Sequence, residues 1–396
     1  MKTSNARPVP GPTPSAASDA PHLVDTTMFF APQSGGVKRY LLAKRAWLAR
    51  RSDVRHTLLV PGAVDRDDGN GLVTLAAPRI PFANGYRWPA RSGIWRDQLV
   101  ALAPDLIEAG DPYLLPWAAL DAGQHLGVPV VGFYHSDLPR LIGARLGRWC
   151  EPGVERYLRR LYRQFDLVLA PSRVMADRLA AAGVERVALQ PLGVDTRRFH
   201  PQHRDPGLRR ELGLAEDTRL LVFAGRFSRE KNIPLLLDAF RLLGPRYHLL
   251  LIGGGRCLRP HPNATVYPYQ GRAGEVARLM ASCDALVHAG DQETFGLVAL
   301  EGMACGLPVV GVRAGAIAEL VDAAVGLVVP PGSAAAIADG VVALYQGDPA
   351  SLGRRARARV EAEYGWDRVL YGLLTHYGRL AAPAFEATEA TACAAG

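Results

Sequence analysis

Short apolar runs that end in glycine, proline, serine or aspartate recur through the whole chain, with helix-patterned segments between them. In the first half they are HLVDTTMFF, HTLLVPG, PDLIEAG, PVVGFYHSD, FDLVLAPS and VALQPLGVD; in the second they are LLVFAG, YHLLLIGGG, ATVYPY, ALVHAG, PVVGVRAG and GLVVPPG. Runs of this length suit strands buried on both faces, and parallel neighbours need a helical crossover between them. The alternation predicts a doubly wound α/β sheet in each half. The regular pattern breaks at Gly193-Val194-Asp195 and Pro201, which places the join near residues 195–202. The expected domains are therefore 23–197 and 198–365, each Rossmann-like.

A chain of 396 residues, 48% apolar and 21% charged, has material for two cores and is globular in composition. No apolar run approaches the ~18 residues of a membrane span. Residues 1–22 are rich in Pro, Ser and Ala without a hydrophobic stretch, so they read as a disordered arm and not as a secretory signal. Five cysteines (150, 257, 283, 305 and 393) lack metal-ligand spacing and read as reduced thiols of a cytoplasmic protein.

The run HAGDQETFGLVALEGMACGLPVVG, residues 288–311, carries chemistry. Glu293 falls in a strand-to-helix loop, Phe295-Gly296 reads as a tight turn, and a helix opens at Leu297 with Glu301 on its second turn. The amides of Phe295, Gly296, Leu297 and Val298 would be unpaired donors at a helix N-terminus, a place for an anion. A second segment, TRLLVFAGRFSREKNIPLLLDAF (218–240), is a strand, a glycine turn and a helix starting near Asn232, with Pro234 in its first turn. Arg226 and Lys231 lie between strand and helix, where two cations suit a diphosphate.

These two segments resemble the donor site of retaining glycosyltransferases of family 4, the group 1 enzymes of the GT-B fold. The resemblance implies two doubly wound domains facing a central cleft, with a last helix, here 366–380, crossing back to the first domain and a flexible tail over 381–396. It also implies that Glu293 contacts the transferred sugar, Glu301 grips the nucleotide ribose, and Arg226 and Lys231 bind the diphosphate. Together with SGGV, YHSD and GRFSREKN, the pattern is similar to bacterial mannosyltransferases that use GDP-mannose and glycolipid acceptors of the cell envelope. UDP-glucose or another UDP-sugar stays open as donor, as do a sugar-nucleotide epimerase and a non-catalytic sugar-binding protein of the same fold.

Three N-terminal features offer further candidates. Ser34-Gly35-Gly36-Val37 lies between the first strand and a helix, and the resemblance puts Gly36 at the donor phosphates. Tyr134-His135-Ser136-Asp137 ends a strand, where ligands of open α/β sheets gather, so His135 is a candidate contact at the reacting sugar and Asp137 a candidate for orienting the acceptor. Asp65-Arg66-Asp67-Asp68 reads as a solvated acidic turn in preference to a metal site, and no essential metal is expected.

Charge is unevenly spread. Residues 1–200 hold 26 Lys and Arg against 18 Asp and Glu, while 201–396 hold 20 of each. Residues 140–163 (RLIGARLGRWCEPGVERYLRRLYR) carry seven arginines among Leu, Ile, Trp and Tyr. Such a stretch suits an anionic membrane surface or a phosphorylated acceptor, and equally an ordinary surface helix whose arginine stems cover the core. Peripheral contact with the inner face of the cytoplasmic membrane is the corresponding expectation. No nucleic-acid motif is present.

Overall fold

The computed structural model describes residues 20–381 and 385, apart from 33, 52, 82–84, 256–257 and 269–272. Residues 1–19 of the expected arm, most of the expected tail, Cys257 and Cys393 lie outside the described residues, while His22, which the arm was expected to include, is the buried first residue of a strand. The chain forms two compact units. The first comprises residues 1–171, 175–190 and 370–396; the second comprises 172–174 and 191–369. The divide at Gln190–Pro191 falls a few residues before the break expected at 195–202.

In the first unit the strands are β1 (His22–Thr26), β2 (Arg55–Gly62), β3 (Arg66–Asp67), β4 (Leu72–Ala76), β5 (Leu106–Ala109), β6 (Val130–Phe133), β7 (Leu167–Ala170) and β8 (Val187–Leu189). They pair in the order β3-β4-β2-β1-β5-β6-β7-β8, all parallel except β3 against β4. Every residue of β1 and β5 is buried, as the continuous apolar runs require.

Three charged residues nonetheless form one buried cluster in this unit. Lys44, on the helix Gly36–Leu48, lies 2.7 Å from Asp25 of β1 and 3.2 Å from Glu108 of β5. The His56 Nε2 sits 2.8 Å from the other Asp25 oxygen, and Tyr40 donates to Glu108 at 3.1 Å. Tyr377 of the helix Trp366–Ala381 completes the cluster, accepting from Lys44 at 2.8 Å and donating to Glu108. Burial works against the charge of Asp25, but Lys44 and His56 hold its carboxyl below the usual range. At Glu108 burial prevails, and its carboxyl is pushed up.

The second unit holds β9 (Arg219–Phe227), β10 (Tyr247–Gly255), β11 (Ala264–Pro268), β12 (Ala285–His288), β13 (Val309–Val312) and β14 (Gly326–Val329). They form one parallel sheet in the order β11-β10-β9-β12-β13-β14. The helix Ile233–Leu243 turns Ile233, Leu236, Ala239 and Phe240 inward at helical spacing, onto Leu249 and Leu251 of β10 and the rest of this core. β9 is longer than the run LLVFAG suggests. Its pairing with β10 continues through Arg226 and Phe227, because Gly254 and Gly255 opposite them keep the ladder going. Arg226 is therefore at the end of a strand and not on the following loop.

Candidate active site

The order of the second sheet reverses between β9 and β12. Loops leaving the carboxyl ends of strands at such a reversal diverge to opposite faces and leave a crevice, the usual ligand site of open α/β sheets. Here the two loops are stitched together. Asn232 holds φ +51°, a left-handed conformation that asparagine tolerates, and its side-chain amide donates to Ala289 O at 3.1 Å. Gly290 sits so close to the first loop that a Cβ there would stand 3.0 Å from Glu230 O and 2.7 Å from His288 Cε1.

Glu293 is the focus of this junction. Its Oε1 is ion-paired with Lys231 Nζ and lies 2.9 Å from His288 Nε2, while Oε2 has no partner among the described residues. The Gly290 amide donates to His288 Nδ1 at 3.2 Å. Burial opposes the charge on Glu293, but Lys231 and His288 outweigh it and hold the carboxyl far below the usual range. Its main chain is held as well, since Ala316 N donates to Glu293 O at 3.0 Å.

Two residues on, Phe295 is buried and Gly296 takes φ +93°. A Cβ on Gly296 would stand 2.8 Å from the tip of the Ile317 side chain, which would have to shift, and the backbone angle requires glycine. The helix Leu297–Ala304 then opens with no side-chain cap. Ala299 and Leu300 already donate to Gly296 O, which leaves the Leu297 and Val298 amides without an acceptor among the described residues. Glu301 is buried on this helix at 4% exposure. Arg226 is exposed at the end of β9 and has no side-chain partner among the described residues.

The remaining candidates belong to the first unit. Gly36 is the first residue of the helix Gly36–Leu48, which follows β1 and has no side-chain cap. His135 is buried two residues beyond β6, stacked on Phe133 with ring centroids 4.0 Å apart. Burial first, then the charge of Lys44, pushes its pKa down to about 3, so its imidazole is neutral at neutral pH. Asp137 is buried and paired with Arg178, with Arg140 at 3.7 Å.

Sequence reading did not single out four residues that shape these sites. His288 is the lone polar residue of the run ALVH, and that was its signal. Asn232, between a strand and a proline-initiated helix, and Gly315, which backs Glu293, carry only a turn-forming signature. Asp111, on the loop after β5, accepts from Met28 N at 2.8 Å and Tyr113 N at 2.9 Å, and burial raises its pKa to about 6.

Residues 34–198 match the glycosyltransferase family 4 model, and residues 205–361 match the model for glycosyl transferases group 1. The GDP-mannose-dependent alpha-(1-6)-phosphatidylinositol dimannoside mannosyltransferase of Mycobacterium tuberculosis is 31% identical over 374 residues, covering 91% of this chain and 96% of that protein. The chain belongs to the group 1 glycosyltransferases.

Another relative of this glycosyltransferase is a GDP-mannose-dependent alpha-mannosyltransferase of Corynebacterium glutamicum, 26% identical over 315 residues, 74% of this chain and 72% of that protein. Among solved structures, sucrose-phosphate synthase from Thermosynechococcus elongatus superposes with a TM-score of 0.73 at 20% identity, covering 91% of this chain and 99% of that one. Anabaena HepE in complex with UDP-glucose superposes with a TM-score of 0.72 at 19% identity, over 91% of this chain and 100% of that one. The glycosyltransferase has the GT-B fold, as its two parallel sheets and these likenesses agree.

Proposed function

We propose that this glycosyltransferase moves mannose from GDP-mannose to a hydroxyl of a lipid-linked or glycan acceptor, with retention at the anomeric carbon and no essential metal. The observation that supports it most is the junction of Lys231, His288 and Glu293 beside an uncapped helix N-terminus. Lysine has three N–H donors and Glu293 occupies one, so Lys231 has donors left for a phosphate. Arg226 and the Leu297 and Val298 amides add positive potential where the diphosphate gains charge as the C1–O bond breaks. Glu293 stays ionised and accepts from sugar hydroxyls, which orients the pyranose. In the same-face displacement proposed here, the acceptor oxygen bonds to C1 from the side the diphosphate leaves, and a departing phosphate oxygen takes its proton.

A metal-free reaction accords with the fate of the acidic run. Asp65 accepts from Ala76 N at 2.6 Å, Asp67 from Gly69 N at 2.8 Å, and Asp68 from Asn70 N and Leu72 N at 2.8 Å each. Those carboxylates accept from main-chain amides, and Asp68 also pairs with Arg45 at 3.1 Å.

For the acceptor side, the segment 140–163 supports contact with an anionic membrane. Leu141, Leu146 and Trp149 are exposed, Trp149 at 81%, and Arg140, Arg145 and Arg148 are their neighbours in the sequence. Exposed apolar side chains interleaved with arginines suit the boundary between acyl chains and anionic headgroups. No helix among the described residues is long and apolar enough to cross a membrane. Sedimentation with anionic vesicles that weakens in Trp149→Ala and is absent with neutral vesicles would support this; equal sedimentation with both would end it.

The function is tested by incubating the enzyme with GDP-mannose or UDP-glucose, with and without mannosylated lipid. Acceptor-dependent GDP release from GDP-mannose supports the proposal. Release from UDP-glucose alone replaces the donor, and a new sugar epimer formed without acceptor replaces the reaction.

A further inference from the structure

His288 ends β12 with its side chain fully buried, an expensive position for an imidazole that only packs. Both ring nitrogens are accounted for. The Gly290 main-chain N–H points at Nδ1 at 3.2 Å, and an N–H can donate only to a nitrogen that bears its lone pair. Nδ1 is then the acceptor, and the ring proton sits on Nε2, 2.9 Å from Glu293 Oε1. Phe223 of β9 flanks the ring at 5.7 Å between centroids, and Gly290 leaves no room beside Cε1. The imidazole is clamped in plane and in tautomer.

We propose that His288 is the positioning residue for Glu293: its Nε2–H and Lys231 together hold Oε1, so that Oε2 is the oxygen presented to the sugar. This rests on reading Glu293 as the sugar-binding carboxylate. The charged or titratable groups facing that carboxylate are Lys231, from the loop after β9, and His288 itself. Lysine alone is a poor orienter, because an ammonium on four methylenes rotates its donors freely. The rigid imidazole supplies the direction and Lys231 the charge. A carboxylate with one oxygen fixed and one open offers a single, aimed acceptor for hydroxyls, as orientation at a reacting centre requires.

Two measurements test it on the full-length protein. Long-range ¹⁵N–¹H spectra of histidine-labelled enzyme, with His288 identified by its loss in His288→Gln, should show Nδ1 unprotonated and Nε2 protonated. A proton on Nδ1 would overturn the proposal. Nucleoside diphosphate release from GDP-mannose and UDP-glucose, with water as acceptor, should fall about tenfold or more in kcat for His288→Phe, with donor KM within about twofold. His288→Gln, whose amide nitrogen reaches toward the Nε2 position, should recover most of the rate, while the shorter His288→Asn should not. A folded His288→Phe with unchanged kcat overturns the role. If that variant does not fold, equal rates for Gln and Asn overturn it instead. Glu293→Gln is run alongside: full activity there sinks the reading of Glu293, whereas an inactive Glu293→Gln beside an unaffected His288→Phe sinks only the role of His288.

Discussion

Gly315 stands against the main chain of Glu293, so that a Cβ on Gly315 would lie 2.7 Å from the Glu293 carbonyl oxygen and 3.0 Å from its amide nitrogen. The Gly315 φ of +56° lies in the left-handed region, and the next amide, Ala316 N, donates to that same carbonyl. A residue after β13 thereby sets the backbone of the loop after β12.

Gly315→Ala should therefore cost about 1–3 kcal/mol in denaturant unfolding, from the left-handed backbone and the forced retreat of Glu293. Activity should fall further than that stability loss explains, because the carboxylate itself moves. A variant with native midpoint and native turnover would show that the close approach is not a constraint.

Glu293→Gln removes the charge while keeping the shape. Turnover should drop by about a hundredfold or more while nucleotide affinity, followed by calorimetry with GDP and GDP-mannose, changes much less. The same variant reports on acid stability. Because the folded carboxyl titrates below its ordinary 4.5, its contribution is complete above that value and is lost as pH falls below it. The stability gap between wild type and Glu293→Gln should shrink as pH drops from about 5 toward 3.

His135 carries the opposite protonation chemistry in the same direction of pH. Its folded value is pushed from 6.5 to about 3, so between those values the unfolded chain binds the extra proton. Stability should then fall as pH falls, at up to about 1.4 kcal/mol per pH unit for this one group. His22, held down to about 4 chiefly by burial, adds a second contribution. Urea unfolding between pH 7 and pH 4.5 should show a flatter slope in His135→Gln; an unchanged slope would refute the assignment.

Lys44→Met leaves Asp25 and Glu108 buried without their cation, which should cost about 3–5 kcal/mol. Tyr377→Phe removes only a hydroxyl bonded to charged groups and should cost about 1.5–3 kcal/mol. The order of the two unfolding midpoints is the check. If Tyr377→Phe proved the more harmful, Lys44 would not be the centre of the cluster.

Much of this was open to reading from the chain. Alternating apolar runs mark strands and helices because burial on both faces leaves no period of two, and the glycine at 296 marks a turn because only it fits φ +93° there. The helix after Phe295-Gly296, with Glu301 on it, follows from local geometry, as does the proline-led helix after Asn232. The extent of β9 was not legible, because a strand's end depends on its partner, and Gly254 and Gly255 of β10 carried the pairing through Arg226.

By itself the sequence determined the class of fold, the turn and helix that hold Glu293 and Glu301, and the pairing of carboxylates with nearby cations in two short segments. These depend on interactions between near neighbours, which any local segment carries with it. Only the tertiary structure decided that Lys231 and Glu293, 62 residues apart, share an ion pair, and that His288 aims the same oxygen. That outcome depends on β9 and β12 becoming neighbours where the sheet reverses. Strand order is set by how whole faces pack, and no window of sequence contains it.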